Sequence, residues 1–206
     1  MTALTSPRLS GLVRYGAARA AALRTERCEL CGAEVADEHR HILDVSARRP
    51  LCACRACAVL FDRDAAGGDH FRLIPERRQR VEGLDDDAWD EVGIPVGLAC
   101  FSLTADGEVT VVYPGPAGPT EGTLDASAWA ALAARDGTVA SMKPHVEALL
   151  VHRMRGARQH WVVPIDDCYR LIAVLRTHWT GFTGGDEVWA EVDRFFGALE
   201  GQGSPL

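Results

Sequence analysis

Seven cysteines occur in this 206-residue chain, and five of them fall between Arg27 and Asp62. Two Cys-x-x-Cys pairs, Cys28/Cys31 and Cys54/Cys57, bracket a segment of the length that one β-hairpin fills. Thiols separated by two residues can turn their sulfurs toward one point, and two such pairs supply the four tetrahedral ligands that zinc prefers. The expected metal ligands are therefore Cys28, Cys31, Cys54 and Cys57. Gly32 follows the first pair, where a tight turn around a metal calls for a positive φ. After Cys57 comes Ala58-Val59-Leu60-Phe61, an apolar run that reads as a helix with the second pair in its first turn. Backbone N–H groups there favour thiolate over thiol. Knuckle, hairpin and ligand-bearing helix are the parts of a treble-clef zinc site.

Other readings of these cysteines stay open. Four thiolates also make a rubredoxin-type iron centre, but its two knuckles usually each have a glycine behind them, and here only the first does. Zinc is favoured over iron on that ground. Disulfides are discounted, because nothing in the sequence marks the chain as secreted and it is long enough to build a core without them. Cys52 adds a thiol two residues ahead of the second pair, either a buried neighbour or a redox-active group. His39 and His41 alternate with Arg40 and Ile42 on a predicted strand, so they share one face. They read first as hairpin surface or as groups hydrogen-bonding near the thiolates, and second as ligands.

The elements that must hold this site follow from pattern. An Ala-rich stretch over Ser10–Thr25 with arginines near helical spacing predicts a helix within residues 1–26, and residues 27–63 form the zinc module. The run from Asp62 to Asp69, with Gly67-Gly68, reads as a linker. Residues 70–200 then form the body. Phe71–Ile74 predicts its first strand, and Asp85-Asp86-Asp87 predicts a capped helix through Trp89 and Val92. Ile94–Leu103 and Glu108–Tyr113 predict a hairpin across Ala105-Asp106-Gly107. Pro114–Gly122 reads as an irregular connector, and Asp125 as the cap of a helix through Leu132.

Further on, Val146–Met154 and His160–Val163 predict two strands joined by a turn at Arg155–Arg158. Asp166 and Asp167 are expected to start a helix that runs to about Trp179. Asp186 is expected to cap another, with Val188, Trp189, Val192, Phe195 and Phe196 as its buried stripe. Trp179, Phe182 and Trp189 are expected to pack together. The fold class is α+β: the zinc module, then a mostly antiparallel sheet with helices packed on one side.

Composition bounds the function. With 47% hydrophobic residues and a net charge of −7, the chain has ordinary globular composition. Ten arginines face seven acids through Arg63, whereas twelve basic residues face twenty-two acids beyond it. An acidic body is a poor general binder of nucleic acid. The longest apolar run is too short to span a bilayer, and arginines interrupt the N-terminal stretch where a signal peptide would have its apolar core. A cytoplasmic location is expected. The body shows no nucleophile elbow, dinucleotide loop or His-Glu-x-x-His helix. Cys168 with His160 or His178 has the residue types of a thiol site, but reads more simply as a small buried cysteine. The pairs with His39 or His41 also match part of an HNH nuclease pattern. That pattern further requires an Asn and a His where this chain has Val59, Leu60 and Phe61.

The succession CELCG, HRHILD, LCACRACAVLF, IPVGLACF, VEALLV, VVPIDDCYRLI and GGDEVWAEVDRFF resembles a bacterial family, common in actinobacteria, encoded beside oxygen-tolerant nickel-iron uptake hydrogenases. The resemblance covers nearly the whole chain and implies a part in assembling or supporting such a hydrogenase. It implies no activity, since the family has none established. Three functions are therefore carried forward: a zinc-containing accessory protein that binds a hydrogenase subunit or maturation factor, an iron electron carrier or thiol redox sensor, and an HNH-type nuclease.

Overall fold

The computed structural model describes residues 26–62, 68, 70–93, 96–115 and 118–202. The predicted N-terminal helix and most of the predicted linker lie outside them. The chain divides into two compact units, Met1–Leu73 and Ile74–Leu206.

In the first unit, β1 (Arg40–Asp44) and β2 (Arg49–Ala53) form an antiparallel hairpin that leads into α1 (Arg55–Leu60). Ahead of them, Arg27 and Glu34 form a β-bridge that closes the turn carrying Cys28 and Cys31. Gly32 in that turn has φ +75°, as its position after the pair predicts. Phe71–Leu73, expected to begin the body, instead forms β3 and pairs antiparallel with β1, in the order β2-β1-β3. The chain places Leu43 and Ile42 on opposite faces of β1, and both are buried. Burial on both faces also keeps water from the strand's outer backbone N–H and C=O groups, and pairing with β3 satisfies them. Ile42, Ala53 and Ala58 make a small core, with Phe61, Phe71 and Leu73 packed against it.

The second unit is built on a six-stranded antiparallel sheet, in the order β4-β9-β8-β5-β6-β7. Its strands are β4 (Gln79–Arg80), β5 (Leu98–Leu103), β6 (Val109–Gly115), β7 (Gly118–Leu124), β8 (Glu147–His152) and β9 (Gln159–Pro164). The helices are α2 (Asp86–Val92), α3 (Ala126–Arg135), α4 (Gly137–Ala140), α5 (Ile165–His178) and α6 (Gly185–Gln202). Asp85 caps α2 by accepting the Ala88 N–H at 2.8 Å, and Asp125 caps α3 by accepting the Ser127 N–H at 2.8 Å.

The α+β class with a cysteine module at the front holds, but helices cover both faces of the sheet rather than one. Ala99, Phe101, Val109, Val111, Leu149, Val151 and Val162 point to one side and pack with Trp89, Trp129, Leu132 and Val139 of α2, α3 and α4. On the other side, Cys100 is bonded to Cys168 of α5, and the His152 ring lies 4.9 Å from the Phe196 ring of α6. The cause is written in β8, where all six residues of Glu-Ala-Leu-Leu-Val-His are buried. A strand apolar on both faces requires two layers of cover.

Three further expectations are corrected. Pro114–Gly122 is not an irregular connector: β6 and β7 pair through it, with Tyr113 opposite Thr120 and Pro114 opposite Pro119. β7 is an edge strand and β5 pairs with β6 only as far as Val112, so neither proline removes a ladder bond from a doubly paired strand. Cys168 is not a lone buried thiol but forms a disulfide with Cys100, with Cα atoms 6.5 Å apart. Phe182 does not join the tryptophans; Trp179 and Trp189 pack with ring centroids 6.1 Å apart while Phe182 is 81% exposed.

Candidate metal centre

The four cysteines named by spacing converge. Their sulfurs all lie within 4.8 Å of one another, an arrangement that can hold a metal ion. Cys31 Sγ and Cys54 Sγ are 3.7 Å apart. That separation is far beyond a disulfide bond and close to the roughly 3.8 Å edge of a tetrahedron with metal–sulfur bonds of about 2.3 Å.

Local structure explains the convergence. The Cys28 N–H donates to Ala33 O at 2.8 Å and the Gly32 N–H to Cys28 O at 2.8 Å, which folds the first pair into a tight turn. Cys54 is the N-cap of α1, and its sulfur accepts the Cys57 N–H at 3.5 Å. The hairpin β1–β2 brings Cys54 back to the first turn, and Glu29 N–H donates to Cys52 O at 2.9 Å to fasten the two segments. Cys28 is buried, Cys54 and Cys57 are half-buried, and Cys31 is exposed.

Electrostatics around the sulfurs are uneven. Burial works to raise the Cys28 pKa, but backbone N–H groups of Cys54, Cys31 and Leu30 aimed at its sulfur outweigh it and bring the thiol down to about 6. Cys57 is pushed up to about 12, chiefly by sharing protons with the Cys31 and Cys54 sulfurs. Cys31 is also raised. Four sulfurs this close cannot all be thiolates unless a cation stands among them. A cysteine quartet of this kind suits a soft or borderline metal, so the residues present fit the group their spacing implies.

A model of the family of unknown function DUF5947 matches residues 27–203. The chain belongs to this family. The DUF5947 match starts one residue before Cys28, so it takes in both cysteine pairs as well as the sheet of the second unit. No curated protein and no solved structure matches the chain significantly.

The remaining predicted site residues are distributed as follows. His39, His41 and Cys52 do not enter the four-sulfur cluster; they form a separate group within 4.8 Å of one another. His160 is buried beneath Arg153, whose Nη1 donates to His160 Nε2 at 3.1 Å. His178 Nδ1 lies 3.0 Å from Glu187 Oε1. With Cys168 bound to Cys100, the thiol site considered for the body has no free thiol.

Sequence reasoning missed the buried ion pairs of the second unit. Asp167 does not cap α5, whose N-cap is Pro164 without a side-chain bond. Its carboxylate is fully buried and accepts from Arg78 Nε at 2.7 Å, Arg78 Nη2 at 3.1 Å and Arg170 Nη1 at 2.9 Å. Glu147, equally buried, accepts from Arg77 Nε and Nη2 at 3.0 and 2.8 Å and from the Lys143 N–H at 2.8 Å. The usable signal was Glu147 directly ahead of the apolar run Ala148-Leu149-Leu150-Val151, since a carboxylate there needs a cation from elsewhere.

Proposed function

We propose that the protein is a zinc-containing cytoplasmic accessory protein that works through protein contacts, and that its partner is a subunit or maturation factor of a nickel-iron hydrogenase. The observation that carries the zinc reading is the meeting of Cys28, Cys31, Cys54 and Cys57 within 4.8 Å. Zinc bound there supplies a redox-inert crosslink among four thiolates. Placement of the second pair at a helix start rather than in a second glycine-closed knuckle favours zinc over rubredoxin-type iron. Leu30, Val59 and Leu60 are exposed on the same unit, and such side chains suit docking to another protein. Val59 and Leu60 on α1 also occupy the positions where a nuclease of the HNH type needs its Asn and His. The hydrogenase partner rests on the family resemblance. The Cys100–Cys168 disulfide is compatible with a reducing compartment because both residues are buried, and thiol exchange needs access to a sulfur.

Metal analysis of the full chain purified without a histidine tag tests the chemistry. Colourless protein whose zinc content falls in Cys57→Ser supports it, whereas the visible absorption of an iron–thiolate centre overturns it. A deletion strain tests the role: hydrogenase activity falls with subunit transcription intact, and unchanged activity and subunit processing would remove the hydrogenase assignment.

A further inference from the structure

We propose a second metal site on the same unit, formed by His39, His41 and Cys52, that takes a divalent first-row ion of the zinc class and leaves one coordination position open.

The backbone places these three residues together independently of the four-sulfur cluster. His41 stands directly opposite Cys52 in the β1–β2 register. Cross-strand partners have their side chains on one face, about 5 Å apart at Cβ. His39 precedes His41 by two positions, which keeps it on that face, and the two rings lie with centroids 4.7 Å apart. One ligand atom from each of the three residues lies within 4.8 Å of the others. Bound zinc needs ligand separations of about 3.3–3.8 Å, a contraction that side-chain rotation supplies.

The decisive feature is His39. Its side chain is only 7% exposed. Nδ1 lies 2.8 Å from Ala36 O, and because a carbonyl can only accept, Nδ1 carries the proton. In the neutral ring Nε2 is then the nitrogen whose lone pair is available to a metal. It is buried and has no hydrogen-bond partner among the described residues. A histidine with one nitrogen pinned to a backbone carbonyl and the other left as a buried bare acceptor has the orientation and tautomer of a metal ligand. An apolar or surface role for His39 leaves the buried, unpartnered Nε2 unexplained.

The surroundings favour a cation. Glu26 Oε2 lies 3.6 Å from His39 Nδ1. Glu29 Oε2 accepts the Cys52 N–H at 2.8 Å, while Glu29 Oε1 pairs with Arg49 at 2.7 Å, so Cys52 is held in place by a carboxylate that is itself fixed. Binding deprotonates the Cys52 thiol and releases that proton to solvent, with both histidines neutral; no bond other than S–H breaks and nothing is oxidised. Two imidazoles and one thiolate give three protein ligands, and the fourth position of a tetrahedral ion then belongs to water or to a ligand brought by a partner.

Metal stoichiometry of the untagged full chain, loaded with excess Zn2+ and desalted, is the test, repeated with Co2+ to read the ligand sets. Two ions per wild-type chain are expected, falling to one in Cys52→Ser and in His41→Ala. The remaining Co2+ should keep the absorption of a four-thiolate site, which also shows that the front unit is still folded in the variants. One ion per wild-type chain, unchanged in Cys52→Ser, overturns the second site and leaves the four-sulfur reading standing. Loss of both ions in Cys52→Ser, with no four-thiolate spectrum, also overturns it, because Cys52 would then belong to the first cluster. Two ions in wild type with one retained in Cys57→Ser but lost in Cys52→Ser supports both sites separately.

Discussion

At the scale of single residues, the convergence of Cys28, Cys31, Cys54 and Cys57 was legible because its cause is local: a two-residue spacing constrains where two sulfurs can point, whatever the rest of the chain does. The state of His160 was not, because burial within the folded sheet, which no local pattern announces, is its chief determinant. It is 4% exposed, and burial first, then the nearby charges of Arg153, Arg80 and Arg158, lower its pKa to about 4. An unfolded histidine titrates near 6.5, so between pH 6.5 and 4 the unfolded chain binds a proton that the folded chain refuses. Folding stability from this residue is therefore complete above pH 6.5 and is lost as pH falls toward 4, by up to about 3 kcal/mol. All five tryptophans lie at or beyond Trp89, so their fluorescence follows the second unit alone. Urea midpoints read this way should drop between pH 7 and pH 4.5 in wild type and drop less in His160→Gln, which keeps an acceptor for Arg153. Equal pH dependence in the two proteins would show that His160 is not the group responsible.

At the scale of elements, strands and capped helices were read where patterns were local, as with Asp85, Asp125 and the β5–β6 turn. Failures came where a partner decided the outcome. Phe71–Leu73 looks the same as a body strand until β1 is seen to need an edge partner, and Pro114–Pro119 looks like a loop until its edge position makes the prolines harmless. Cys100 and Cys168 carried no joint signal across a separation of 68 residues, yet they tie β5 to α5. A crosslink closing a loop of that length stabilises by about 2–4 kcal/mol, mainly by restricting the unfolded chain. Replacing both residues by alanine should lower the urea midpoint of the tryptophan signal by a corresponding amount. Alkylation of metal-free, denatured protein should modify the five free cysteines and reach all seven only after reduction. Seven modified cysteines without reductant would show that α5 is held to the sheet by packing alone.

At the scale of the whole molecule, the two units differ in what makes them stable, and this sets how metal removal should act. Among the described residues the first unit has a core cluster of only Ile42, Ala53 and Ala58, with Leu43 and Leu51 buried besides. A chain segment of that size buries too little apolar surface to offset its conformational entropy unless a metal or disulfide assists, and its own five cysteines are free. A metal held by the four sulfurs would then supply most of its folding energy. The second unit instead has a core of fifteen buried residues from Val81 to Val162, a disulfide and two buried arginine–carboxylate pairs, with no cysteine of the metal cluster among them. Composition hinted at this division through the cysteine-rich, basic front and the acidic remainder, but only the core sizes say which part depends on metal. Chelation at neutral pH should therefore expose the amides of residues 26–62 to hydrogen exchange while the tryptophan emission and urea midpoint stay unchanged, and zinc should restore the protection. If chelation shifts the tryptophan transition as far as it lowers protection in the front, the second unit draws its stability from the metal too, and the division of labour between core and ion is wrong.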